Sequence, residues 1–270
     1  MIYQEISLAQ EGSLPYAKLV LYIQDYSESM QIQKRPMVVI CPGGGYDHTS
    51  DREAEPIALS FLAMGTHAAV LRYSVAPAKH PVQIAELAYA VKYIRDHAKE
   101  WHVDEDKIIV QGSSAGGHLA AMLGCFWNKE WLWTSVGAKT ADEIKPNGMI
   151  LSYPVITSGE FAHKGSFDNL AGENSDLRES LSLEKQVSAD TPNTFIWHTF
   201  EDASVPVENS LFMVSALRKY NIPTEFHLYP KGEHGLALAS PLTADKEGGH
   251  VQKECETWIA FARTWLENIC

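Results

Sequence analysis

The sequence predicts an α/β fold, a mostly parallel central sheet with helices on both faces. Two observations predict it. Short β-branched or apolar runs alternate along the chain with longer stretches of helical period, as in sheets whose strands are buried on both faces. Three loops that directly follow such runs also carry chemically unusual residues, and in open parallel sheets functional groups collect at the carboxyl ends of the strands. The 270 residues show no internal repeat, charge block or low-complexity linker, so one domain over 1–270 is expected.

Element by element, Lys18–Gln24 and Met37–Cys41 read as strands, the second ended by Pro42 and three glycines. A helix over Glu53–Met64 is stopped by Gly65, and His67–Tyr73 is a buried strand. Pro81 suits a first helical turn, after which Ile84, Leu87, Ala88, Val91, Ile94 and Ala98 fall on one apolar face. Lys107–Gln111 is a short strand, followed by a small-residue helix from Ser114 to about Cys125. Gly148–Tyr153, Thr194–His198 and Glu225–Tyr229 complete the strands, with a helix from Pro206 between the last two and a final helix over Gln252–Ile269. Two stretches fit none of these units. Residues 126–146 carry Phe126, Trp127, Trp131 and Trp133, and 156–192 lack clear periodicity; each is a candidate lid or substrate wall, with core packing the alternative for the tryptophans.

Lys and Arg number 22 against 34 Asp and Glu, a net charge of −12. That sign disfavours nucleic acid and anionic membranes as partners, since both require clustered positive charge. No apolar run is long enough to cross a bilayer, and residues 1–12 lack the pattern of an export signal. Cys41, Cys125, Cys255 and Cys270 have no metal-ligand spacing, so reduced thiols in a cytoplasm are expected rather than disulfides or structural zinc. No HExxH or phosphate-loop signature occurs, and neither a metal nor a cofactor is expected.

The chemistry begins at Gly112-Ser113-Ser114-Ala115-Gly116, between a strand and an Ala-rich helix. A serine on a sharp strand-to-helix turn tolerates only small neighbours, and its hydroxyl stands at a helix N-terminus, where negative charge is favoured. The alternative is a tight turn with a capping serine. Pro42-Gly43-Gly44-Gly45-Tyr46 follows a core strand; consecutive glycines let backbone N–H groups converge on an oxyanion. Phe200-Glu201-Asp202 and Gly232-Glu233-His234-Gly235 follow the next two strands in turn. The order serine, acid, histidine, each on a loop after a strand, fits a nucleophile (Ser114), an orienting acid (Asp202) and a base (His234). Glu201 is the main rival for the acid and Glu233 a weaker one. His118 and His198 read as buried structural histidines, and His48, His80, His97, His102, His163 and His250 as solvated ones.

Taken together, CPGGGY at 41–46, LRYSVAP at 71–77, GSSAGGHLAA at 112–121, HTFEDASVPVENS at 198–210 and KGEHGLALA at 231–239 resemble the small α/β-hydrolase-fold carboxylesterases that include acetyl esterases acting on xylan-type sugars. The resemblance implies Ser114, Asp202 and His234 as the triad, and an oxyanion hole from the Ala115 amide with that of Gly44 or Gly45. It departs from the related lipase and esterase motif at Pro42, where histidine is usual, which leaves the bracing of the glycine loop open. It implies a small-molecule ester substrate, such as an acetylated sugar, hydrolysed through an acyl-enzyme. Arylformamidase or peptidase chemistry on the same triad, a non-catalytic binding module, and a homo-oligomer stay open.

Overall fold

A computed structural model of the chain describes residues 1–269. Among these residues, β1 (Ile2–Ser7), β2 (Lys18–Ile23), β3 (Arg35–Cys41), β4 (His67–Arg72), β5 (Val103–Ser113), β6 (Gly148–Ser152), β7 (Asn193–Thr199) and β8 (Thr224–Tyr229) form one sheet. Its order is β1-β2-β4-β3-β5-β6-β7-β8, antiparallel at β1/β2 and β2/β4 and parallel elsewhere. The helices are α1 (Glu55–Ala63), α2 (Val82–Asp96), α3 (Ala98–Trp101), α4 (Ala115–Phe126), α5 (Glu130–Ser135), α6 (Lys164–Ala171), α7 (Ser175–Ser180), α8 (Glu208–Lys219) and α9 (Trp258–Asn268).

Strand alternation explains why the runs look continuously apolar. Val39, Leu71, Val110 and Leu151 point to one face of the sheet, where α2 and α4 cover them. Val38, Ile40, Val70, Ile109 and Ile150 point to the other, against Phe61 of α1 and Trp258 of α9. Burying each such side chain is worth roughly 1.5–3 kcal/mol. Along α2 the expected face is fully buried, with Ile84, Leu87, Ala88, Val91 and Ile94 all at 0% exposure. Helix α4 is buried all round, from Ala115 to Cys125, because the sheet lies on one side and 156–192 on the other. That is why small residues fill it.

Several boundaries differ from the sequence reading. Glu53 lies outside α1, which starts at Glu55, and α9 starts only at Trp258 after a short turn at Cys255–Thr257. Strand β5 extends back to Val103 through the polar residues Asp104, Glu105 and Asp106, which hide it from an apolar-run criterion. Strand β1 was not anticipated because five of its six residues are exposed, leaving no buried face to write a pattern. The 156–192 stretch contains α6 and α7, whose eight and six residues are too short to display a period.

Register positions the site. Cys41 pairs with Gly112 and Ser113 with Ser152, so the loops after β3, β5 and β6 emerge side by side.

Candidate active site

Ser114 occupies the turn between β5 and α4 with φ 55° and ψ −120°, a left-handed conformation for a non-glycine residue. The strain is held by close packing: a Cβ on Gly116 would lie 2.0 Å from the Cys41 carbonyl oxygen. The Ser114 N–H donates to the Ser152 carbonyl at 3.0 Å, tying the turn to β6.

His234 Nε2 is 2.8 Å from Ser114 Oγ, and His234 Nδ1 is 2.6 Å from Asp202 Oδ2. A carboxylate only accepts, so Nδ1 carries the hydrogen and Nε2 is free to accept from the serine hydroxyl. Asp202 is buried, and its Oδ1 accepts from the Ser204 and Val205 N–H groups at 3.0 and 2.9 Å. Its Oδ2 also lies 3.3 Å from Nε2 of His198, a ring shared with the Val205 carbonyl and Ser210 Oγ. Burial pushes the Asp202 carboxyl up, but the hydrogen bonds from His198 and His234 outweigh it and hold the carboxyl well below its ordinary value. Glu201, by contrast, is exposed on the cavity wall, and Glu233 accepts from the His250 N–H at 2.9 Å; neither touches the His234 ring through a hydrogen bond.

The glycine loop curls beside the serine. Gly44 has φ 125°, and a Cβ there would lie 2.2 Å from the His48 carbonyl oxygen, so only glycine fits. The Gly43 N–H donates to Glu53 Oε2 at 2.9 Å. The backbone N–H groups of Gly44, Gly45 and Ala115 have no acceptor among the described residues. The Pro42 carbonyl accepts from the Tyr73 hydroxyl at 2.7 Å, so the loop is braced without a histidine at position 42.

These groups open into a cavity of about 470 Å³ in which the polar side chains of His48, Ser50, Arg52, His163, Glu201, Glu233 and His250 surround Ser114 and His234. His163 was read from sequence as a solvated ring. Instead it caps α6: its Nδ1 accepts from the Ser166 N–H at 3.3 Å and meets Ser166 Oγ at 2.8 Å. Burial, then the neighbouring His234, lowers its pKa, and because Nδ1 accepts, the neutral ring carries its hydrogen on Nε2. Nothing in the aperiodic sequence around it signals that role. No residue of 126–146 lines the cavity; Phe126, Trp127 and Trp133 pack into the core and Trp131 is exposed. His118 lies buried, bridging the Tyr46 hydroxyl and the Leu181 carbonyl, each at 2.9 Å. Among the described residues no group of three His, Cys, Asp or Glu side chains could hold a metal ion, and no helix is long and apolar enough to cross a membrane.

Comparison with known proteins agrees with this architecture. The chain is 37% identical over 214 residues to endo-1,4-beta-xylanase B of Butyrivibrio fibrisolvens, and 28% identical over 211 residues to an acetylxylan esterase of Xylanibacter ruminicola. These matches cover 77% and 75% of the chain but only 33% and 41% of the relatives, so the chain spans well under half the length of either. Among solved structures, the acetyl ester-xyloside bifunctional hydrolase of Caldicellulosiruptor lactoaceticus superposes with a TM-score of 0.82 at 38% identity, covering 94% of this chain and 88% of that one. A carboxylesterase of Lactobacillus plantarum WCFS1 gives 0.84 at 28% identity, covering 99% and 97%. The fold is therefore that of the α/β-hydrolases. The BD-FAE family matches residues 23–217, and the chain belongs to that family.

Proposed function

We propose that the protein is a serine hydrolase of carboxylic esters, acting on short acyl esters, acetyl above all, of sugars or other small polar alcohols. The observation that carries the reading is the unbroken relay from Ser114 Oγ to His234 Nε2 at 2.8 Å and from His234 Nδ1 to Asp202 Oδ2 at 2.6 Å. In this reading His234 takes the Ser114 proton as the hydroxyl attacks the ester carbonyl, and Asp202 stabilises the imidazolium. The amides of Ala115 and of Gly44 or Gly45 receive the oxyanion. Gly43 is engaged by Glu53 and is not a candidate donor. His234 then protonates the departing alcohol, and water releases the acid from the acyl-enzyme.

The wall of the cavity supports the choice of substrate. Its side chains offer donors and acceptors for the hydroxyls of a small polar alcohol. The kinship with an acetylxylan esterase and with an acetyl ester-xyloside hydrolase points the same way. We assign residues 1–270 to one catalytic unit, with 156–192 as a substrate wall through His163 and 126–146 as a packing element. A reducing cytoplasm is the compartment we propose, a reading that the cysteine usage supports.

Labelling with a serine-directed phosphonate followed by peptide mapping tests the reading. Adduct on Ser114 is expected, and an unreactive folded protein would favour a binding module. Acetylated xylo-oligosaccharide should be a better substrate than N-formylkynurenine, and p-nitrophenyl acetate better than the decanoate; the reverse order in either pair would overturn the substrate assignment.

A further inference from the structure

We propose that Glu53 is a positioning residue for the Ser114 site: with Tyr153 it joins the glycine loop to the histidine loop, so that oxyanion donors and base are held as one unit. The inference rests on the hydrolase reading above. Glu53 is 3% exposed, and its two carboxyl oxygens reach different parts of the chain. Oε2 accepts from the Gly43 N–H at 2.9 Å, and Oε1 accepts from the Tyr153 hydroxyl at 2.6 Å. The Tyr153 oxygen in turn accepts from the Ala237 N–H at 2.8 Å, three residues beyond His234. The Tyr153 ring also packs edge-on against the His234 ring, with centroids 5.1 Å apart at 72°.

Each link fixes something that would otherwise be loose. Three successive glycines have more backbone freedom than any other tripeptide, and anchoring the first N–H sets the direction in which the next two peptide units turn. The fit is close: a Cβ on Gly43 would lie 2.6 Å from Glu53 Oε2. Burial and then the Glu53 charge push the Tyr153 hydroxyl well above its ordinary pKa, so it stays a donor. Tyr153 holds φ 36°, a conformation that persists only where surrounding contacts over-determine it. The hydrogen-bond partners of Glu53 are all neutral. A buried acid with no ion-pair partner among the described residues is a costly way to fill space, and it is explained if the direction of the Gly43 amide is what it secures.

The test uses the full chain and the variants E53A, E53Q, Y153F and E53Q/Y153F. Wild type must first hydrolyse p-nitrophenyl acetate and label at Ser114; failure there removes the hydrolase reading and is seen before any variant is made. With wild type active, kcat, KM and the inhibition constant of an aryl trifluoromethyl ketone, which adds Ser114 as a tetrahedral oxyanion, are measured for each variant. A displacement of ~1 Å at such a site can cost on the order of 100-fold, so E53A and Y153F should lose about 10- to 100-fold in kcat with KM nearly unchanged. Ketone affinity should fall by the same factor as kcat/KM. E53Q should retain more activity than E53A, because its amide oxygen still accepts from Gly43, and the double variant should be no worse than its worse parent. The proposal is overturned if folded variants keep wild-type kcat, if kcat falls while ketone affinity holds, or if the two losses multiply. Should E53A not fold, E53Q and Y153F decide the matter by the same criteria.

Discussion

The cavity has two walls built by different means. At the strand ends, Ser114, Asp202 and His234 are set by backbone: a left-handed serine on a turn whose Gly116 packs against Cys41, and an aspartate holding two successive N–H groups of its own turn. Opposite, His163 is set by the cap of an eight-residue helix, and Asn169 of the same helix donates to the Gly45 carbonyl at 2.9 Å. The first wall admits almost no substitution without moving the reacting atoms. The second is a short helix docked on the framework, free to change what it shows the substrate. Under the proposed function, the difference would put bond chemistry on one side and selectivity on the other.

The sharpest way to break that division is S114A. Loss of a nucleophile in such a relay costs on the order of 10⁴- to 10⁶-fold in kcat, whereas S113A, whose hydroxyl accepts from Gln111 Nε2 at 3.2 Å and also meets Tyr153, should cost far less. Equal losses in steady-state assays would remove Ser114 from its role. Next comes D202N, which should lower kcat by roughly 10⁴-fold by favouring the wrong His234 tautomer, while E201Q stays near wild type. A large loss in E201Q with an active D202N would exchange the two assignments.

H163A tests the other wall. Removing one hydrogen-bond donor of about 1 kcal/mol should raise KM for an acetylated sugar about five- to tenfold with little change in kcat. A loss confined to kcat would move His163 to the chemical side. The smallest effect concerns His118, which joins the two walls from Tyr46 to Leu181. Burial lowers its pKa to about 4, below the value near 6.5 of an unfolded chain. The unfolded state then takes up the proton first as pH falls, so this stabilisation is whole above about pH 6.5 and is lost progressively towards pH 4. The urea midpoint should decline across that window, less steeply in H118Q. An equally steep decline in H118Q would assign the effect to other groups.

The framework was legible because its signals are local. Ser114 and Gly116 sit in one pentapeptide, and Asp202 and His234 each follow a readable apolar strand. What stayed hidden depends on distance through space. Glu53 looks like the opening of a helix in sequence, yet it lies before α1 and reaches Tyr153 one hundred residues away. His198 was recognisable as a buried ring, but its approach to Asp202 requires knowing that the turn folds back over the strand end. His163 lies in a stretch whose helices are too short to announce themselves, so its place on the wall comes only from the docking of α6.

The way residues 156–192 are attached has a consequence for how such a protein can diversify. Lys79 Nζ donates to the carbonyls of Asp168 and Asn169, Trp127 Nε1 to that of Asp190, Asn209 Nδ2 to that of Phe161, and His118 meets that of Leu181. Every one of these anchors ends on peptide oxygen, which is present whatever side chain the position carries. Replacements at exposed positions other than Asn169 and Asp190, whose side chains also anchor the stretch, can retune preference among alcohols while these moorings hold, which makes it the natural target for a randomised library.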